Sequence, residues 1–403
     1  VKELPHVKVM RRFQAWDELP VLPEGRIGIY VGSHTHFSEK QNRAIDRFCA
    51  TYDAVVICDH TSGYYGKYKL LPTLVQLQSD ITSPFPPLDL MVHIGEISAA
   101  SFNDTIPAKE VWRVSEDGEL RDPFKKLTTV FQMSEEMFFL HYGKDGCNRH
   151  VLIDECRELF GEIYEQIPEL PFCNIWTAMQ LSSRLPKGAL FHMGVSNTRR
   201  CWNMFQLPES VESACNVGCC GIDGCVSTLV GASLVNPDRL CYVVVGDLTF
   251  FYDLNSLGNH HIGTNLRVML VNNGRGTEFR LGIHHCNVFG DDADKYMAAA
   301  GHFGNKSPLL VKHYAEDLGF HYLSATTKEE FMTALSNFTN PQLSDHSMIL
   351  EVFTDSKDES EALYLMSHIQ SDAKGMVRSK LKDAVRNVAG EKGINAIKKI
   401  LKK

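Results

Sequence analysis

The sequence predicts an α/β protein of two domains, each built on a parallel sheet, followed by a basic helical tail. Short apolar runs rich in β-branched residues, such as Leu240–Val245 and Arg267–Val271, have the character of strands buried on both faces. Segments with apolar residues at helical spacing alternate with these runs, which argues crossover connections and hence parallel sheets of the Rossmann-like kind. The length, 403 residues, suits two such domains.

Taken in order, the first fifteen or so residues are mixed and polar and read as a lead-in. Arg26–Gly32 reads as a strand ending in a glycine turn, and Glu39–Tyr52 as a helix. Further strands are expected at Ala54–Cys58, Leu88–Gly95, Glu110–Ser115 and Leu127–Gln132. A helix over about Arg149–Ile167 leads into Pro168-Glu-Leu-Pro171, so the first domain is set at residues 1–165. It carries no Gly-x-Gly-x-x-Gly fingerprint. His34, His36 and His93 fall at strand ends and read as ordinary hydrogen-bonded histidines.

The second domain is set at residues 166–370. A helix over Asn174–Arg184 precedes the strand Ala189–Met193, and Gly194–Arg200 is expected to form the loop beyond it. Asn216-Val-Gly-Cys-Cys-Gly-Ile-Asp-Gly224 is a glycine-rich turn opening onto a helix at Cys225–Ser233. Small residues let the backbone approach a ligand, and the helix N-terminus favours an anion. After the strand Leu240–Val245 comes Gly246-Asp-Leu248, and Thr249–Leu257 has helical spacing. The strand Arg267–Val271 ends in Asn272-Asn273. Helices near Leu309–Leu318 and Lys328–Phe338 alternate with strands at Phe320–Ser324 and Met348–Phe353.

The remaining residues, 371–403, hold ten Lys/Arg against three Asp/Glu, with Val377, Leu381, Val385 and Val388 at helical spacing. This tail reads as an amphipathic appendage that docks on the acidic body or stays solvated. The chain as a whole carries a net charge of −8, which gives a nucleic-acid role no support. No apolar run reaches the length of a membrane span. The twelve cysteines include no Cys-x-x-Cys pair, so reduced thiols and a cytoplasmic location are expected.

Asp247 and Asn273 fall at the C-terminal tips of two strands joined by a crossover, where open α/β sheets bind ligands. Both offer hard oxygen, which suits Mg²⁺ shared with a substrate's phosphates. The bland alternative is an acid capping the next helix.

Gly246-Asp247 followed, 26 positions after the acid, by the second residue of Asn272-Asn273 resembles the signature of the thiamine diphosphate-dependent enzymes. The resemblance implies Mg²⁺ held by Asp247, by the side-chain oxygen of Asn273 and by the main-chain carbonyl of Arg275. It implies cofactor contacts from Gly246, Asp247 and Leu248, and from Gly218, Gly221, Ile222 and Asp223 in the turn, with Ile222 shaping the cofactor. The turn, with Ser227, Thr228 and Gly231, and the stretch Val244–Leu257 are similar to the menaquinone-pathway synthase branch of that family. That branch implies a 2-oxoacid decarboxylase and carboligase, a 2-oxoacid substrate bound by Ser196 and Arg200, and a homodimer or tetramer.

Three departures from the branch stand out. Val217 replaces an arginine of the turn. The loop after Asn273 differs and offers Glu278, Arg280, His284 and His285 as substrate contacts. The family's pyrimidine-binding domain, which supplies a catalytic Glu, has no counterpart, so no catalytic residue is assigned in this chain and isolated residues 1–403 are expected to be inactive. An N-terminal truncation is the expectation. The alternatives are a split enzyme with a separate pyrimidine-binding partner and a non-catalytic scaffold.

Overall fold

A computed structural model describes residues 9–81, 85–96, 106–282 and 284–371. The basic tail expected beyond Ser371, with Val377, Leu381, Val385 and Val388, lies outside the described residues.

The first sheet is made of β1 (Arg11–Gln14), β2 (Ile27–Val31), β3 (Val55–Ile57), β4 (Lys69–Leu70), β5 (Leu88–Ile94), β6 (Ala108–Ser115) and β7 (Leu127–Gln132). Their spatial order is β1-β7-β6-β5-β2-β3-β4, parallel at every pairing. Around it lie α1 (Glu39–Tyr52), α2 (Thr73–Leu77), α3 (Glu135–Tyr142) and α4 (Val151–Glu165). α1 starts at a capping box in which Ser38 and Gln41 satisfy each other's backbone N–H, and it buries Ile45, Phe48 and Cys49 against the sheet. The polar lead-in expected at the N-terminus is corrected by β1, where Phe13 stacks on Phe131 of β7 at 5.5 Å. Charged residues at an edge strand conceal it from a search for apolar runs.

The second sheet holds β8 (Leu190–Met193), β9 (Glu212–Cys215), β10 (Cys241–Gly246), β11 (Leu266–Asn272), β12 (His321–Ala325) and β13 (Met348–Phe353). Its order is β12-β13-β11-β10-β8-β9, again parallel throughout. Its helices are α5 (Asn174–Leu181), α6 (Asn197–Trp202), α7 (Cys225–Val235), α8 (Asp247–Tyr252), α9 (Asp291–Tyr296), α10 (Leu310–Asp317), α11 (Lys328–Phe338) and α12 (Ser356–Ser367). β10 and β11 are central, which explains their unbroken apolar character. Val243, Val245, Val268 and Leu270 are fully buried, and such side chains contribute about 1.5–3 kcal/mol each. Among the described residues no helix is long and apolar enough to cross a membrane.

Two local expectations need correction. Residues 197–202 form α6 rather than loop, because Trp202 and Cys201 have a core to enter. The helix expected over Thr249–Leu257 begins at Asp247, stops at Tyr252 and continues as a 3-10 turn over Leu254–Gly258.

The two sheets are tied by polar side chains. Asn203, just after α6, accepts from the His60 backbone N–H at 3.0 Å and donates to Asp59 Oδ2 at 3.3 Å. His60 Nε2 reaches the Phe205 carbonyl at 2.8 Å. Gln78 donates to the Met366 carbonyl at 2.8 Å and accepts from the Ile369 and Gln370 N–H groups. His93 is buried beside Arg113, and His34 pairs with Glu135, as ordinary histidines do.

Candidate cofactor and substrate site

The register of β10 on β11 pairs Gly246 with Val271. Asp247 and Asn273 therefore leave adjacent parallel strands at the same edge of the sheet. Asp247 is 1% exposed and opens α8. Its Oδ1 accepts from the Leu248 N–H at 3.0 Å, and its Oδ2 stands 2.9 Å from His302 Nε2. Burial pushes the Asp247 acid above the usual carboxylate range, while His302 and the N–H groups of Leu248 and Gly274 pull the other way. Gly274 holds φ +77°, a left-handed conformation that glycine adopts without a Cβ penalty, and this turns the chain so that its N–H serves Asp247.

Asn273 Oδ1 is buried and has no hydrogen-bond partner. A buried amide oxygen left unpaired costs about 1–3 kcal/mol, so it marks a place where a donor or cation fits. The Arg275 carbonyl accepts from the Thr277 N–H at 2.9 Å and retains a second lone pair. The Arg275 side chain turns away and bonds both Asp294 oxygens at 2.9 Å. Among the described residues no group of three or more His, Cys, Asp or Glu side chains is arranged to hold a metal. The expected set is of another kind, one carboxylate with an amide and a main-chain oxygen, and the buried, unpartnered Asn273 Oδ1 fits a hard cation.

The glycine-rich turn follows β9 and ends at Gly224, in left-handed conformation before α7. A Cβ added at Gly218 or Gly246 would meet nothing within 4 Å, so both backbones border open space. Gly221 is closed on one side by Asp223. Ile222 is half-buried and Asp223 exposed. The start of α7 already has an anion: Asp253 Oδ2 accepts from the Ser227 N–H at 2.6 Å. The dipole expected to favour a ligand phosphate at that helix is shared with Asp253.

Ser196 is exposed and holds φ 60° and ψ −120°, a sparsely populated conformation for a residue with a Cβ. It precedes α6, which carries Arg199 and Arg200. Arg200 does not point into open space. Its Nη1 and Nη2 donate to Glu278 Oε2 and Oε1 at 2.8 and 2.6 Å, a bidentate pair with side chains 10% and 17% exposed. Burial works against the Arg200 charge, but Glu278 outweighs it and holds the guanidinium pKa above its ordinary value. Arg199 lies 3.7 Å from Asp59. A cavity of about 150 Å³ between the two sheets is lined by Tyr30 and Asp59 on one side and by Ser196, Arg200, Val217 and Glu278 on the other.

The tertiary structure thus gathers Ser196, Arg200 and part of the glycine-rich turn around one cavity. Asp247, Leu248 and Asn273 cluster at the tips of β10 and β11, and the loop carrying Glu278 joins the two groups. His302 was not singled out in the sequence, where it is one polar residue in a loop of short turns. Glu351 did leave a signal, as the lone acid in the apolar run Met348–Phe353. It is buried, accepts from Asn272 Nδ2 at 2.7 Å and from the Tyr322 hydroxyl at 2.8 Å, and burial raises its pKa. His284 caps its own turn by accepting from the Cys286 N–H, and Arg280 pairs with Asp291 and Asp294. All twelve cysteines are free.

No family model matches the chain. Curated relatives do. A 2-succinyl-5-enolpyruvyl-6-hydroxy-3-cyclohexene-1-carboxylate synthase of Bacteroides fragilis is 33% identical over 263 residues, which is 64% of this chain and 45% of that protein. The synthase of the same name from Phocaeicola vulgatus is 32% identical over 265 residues, 64% of this chain and 44% of its own length. That of Christiangramia forsetii is 33% identical over 199 residues, 49% of this chain and 33% of its own. The matched stretch therefore spans less than half the length of each relative. By these matches the chain is a homologue, along about two thirds of its length, of the 2-succinyl-5-enolpyruvyl-6-hydroxy-3-cyclohexene-1-carboxylate synthases, the branch of the thiamine diphosphate enzymes that its residues resemble.

Proposed function

We propose that this chain holds the diphosphate and Mg²⁺ end of thiamine diphosphate in an enzyme that cleaves and forms C–C bonds on 2-oxoacids. The observation that carries the reading is Asn273 Oδ1, buried and unpartnered one strand away from the buried Asp247 carboxylate. Under this reading Asp247, Asn273 and the Arg275 carbonyl hold Mg²⁺. Gly246, Leu248 and the turn residues Gly218, Gly221 and Asp223 meet the diphosphate, and Ile222 supports the cofactor. When bound, the cofactor supplies a nucleophilic carbon and an electron sink for decarboxylation. The chain's own part is to bind and orient: Ser196 and Arg200 border the cavity in which the oxoacid sits, and the two sheets shield it from water. The pyrimidine-binding unit and its Glu come from a further domain or a partner subunit, in a homodimer or tetramer, so residues 1–403 alone turn over no oxoacid.

A second reading has its own observation. Asp247 and Arg200 already hold internal partners, His302 and Glu278. That arrangement also suits a non-catalytic subunit.

Calorimetric titration of thiamine diphosphate, and separately of inorganic diphosphate, with and without Mg²⁺ separates these readings. Mg²⁺-dependent binding that Asp247→Ala abolishes is the expected result. If neither ligand binds in the presence of Mg²⁺, the cofactor reading fails and the non-catalytic one stands.

A further inference from the structure

We propose that Glu278 sets the charge this site accepts: by holding the Arg200 fork it makes the cavity select a 2-oxoacid with an uncharged tail over a 2-oxodiacid. The inference deepens the function proposed above and rests on it for the ligand being a 2-oxoacid.

A guanidinium recognises a carboxylate by two parallel N–H···O bonds, and Arg200 makes that pattern with Glu278. Glu278 therefore occupies the position that a ligand's tail carboxylate would take. The pair is also built to stay. Arg200 is fixed on α6, whose Trp202 is fully buried. Glu278 sits on a 3-10 turn, Thr277–Arg280, with Thr277 buried beneath it. The approach to that turn is anchored by the Gly276 N–H on the Ala298 carbonyl at 2.6 Å and by Arg275 on Asp294.

The charged residues lining the cavity are Arg199, Arg200, Asp59 and Glu278, which cancel. Asp59 is tied to Arg199 and also accepts from Thr61 and Asn203. A monoanion entering this neutral enclosure leaves one net negative charge, and a dianion leaves two. The cost of confined charge grows faster than linearly with its amount, so the dianion is penalised disproportionately. Neutralising Glu278 shifts the cavity by one positive charge and relieves the dianion more than the monoanion. Val217 acts in the same direction, as a buried apolar wall of the same cavity.

The test titrates the chain calorimetrically, without cofactor or metal, with 2-oxoglutarate and with 2-oxohexanoate. The two probes share the oxoacid head and differ in tail charge. Wild type should bind the monoanion more tightly. In Glu278→Gln both should bind more tightly, with 2-oxoglutarate gaining about tenfold more than 2-oxohexanoate. Glu278→Asp, which keeps the charge, should keep the wild-type preference and shows that changes at this position leave the fold intact. Arg200→Gln added to Glu278→Gln should erase the gain. Equal gains for the two probes, a wild-type preference for 2-oxoglutarate, or binding of neither probe to either protein would overturn the proposal. Diphosphate binding plays no part in this titration. A failure here with Mg²⁺-dependent diphosphate binding intact refutes only the role of Glu278, and the converse pattern refutes the cofactor reading.

Discussion

His302 Nε2 stands 2.9 Å from Asp247 Oδ2, so a residue from the long loop after β11 closes on the acid that opens α8, 55 positions earlier in the chain. The carboxylate is buried, and His302 is its side-chain partner in the folded protein. The same oxygen is one that a cation would need.

His302→Ala should therefore have opposite effects with and without ligand. In the free protein it leaves a buried carboxylate short of a partner, at a cost of about 1–3 kcal/mol in urea unfolding. With Mg²⁺ and diphosphate present, competition for Oδ2 is gone, and calorimetric affinity should rise. A fall in both quantities would mean that His302 supports the ligand rather than competing with it.

Asn273→Ala should separate binding from folding. Its Oδ1 has no partner to lose and its unpaired burial is itself a cost, so metal-free stability should hold or rise, by up to about 1–3 kcal/mol. The upward shift of Tm that Mg²⁺ plus diphosphate gives wild type through mass action should disappear. Thermal unfolding of both proteins, with and without the ligands, checks both halves.

Asn203→Ala tests the joint between the sheets. Asn203 bonds the His60 N–H and Asp59 at once, and it is 4% exposed. Its loss strands the buried His60 N–H and leaves Asp59 Oδ2 with Arg199 as its remaining partner, which should cost about 1–3 kcal/mol. Limited proteolysis should show faster cleavage between the sheets, around residues 143–150 or 168–172, while urea unfolding reports the loss in stability.

Glu359 gives a pH-dependent prediction. It is 1% exposed in α12 and accepts from the Asn174 N–H at 2.9 Å and the Thr354 hydroxyl at 3.0 Å. Burial outweighs those bonds and pushes its pKa up to about 7. The folded state therefore holds this proton more tightly than the unfolded chain. The stabilisation is fully present below the unfolded carboxylate value of about 4.3 and is lost as pH rises through about 7. Glu359→Gln does not titrate there. Relative to wild type it should gain on the order of 3 kcal/mol between about pH 4.5 and 7.5, read from urea midpoints across that range. A constant difference across the range would show that Glu359 stays ionised in the fold.

Local pattern in the sequence determined the architecture and one edge of the site. β-branched runs such as Val243–Val245 and Val268–Val271 admit few conformations other than a buried strand, and alternation with helices forces parallel pairing. Asp247 and Asn273 were legible because each stands two residues beyond the end of such a run, so strand ends fix their place. Tertiary structure alone decided the partners. β1 is charged, and it is a strand only because β7 offers an open edge. α6 forms because Trp202 finds a core. Most of all, the partners of the two candidate site groups come from far along the chain, Glu278 at 78 positions from Arg200 and His302 at 55 from Asp247. A periodic apolar pattern reports which face of an element is buried. It carries no information on which charged side chain, from which distant loop, will meet a given arginine or carboxylate, because that choice is made by the packing of the loop on the finished sheets.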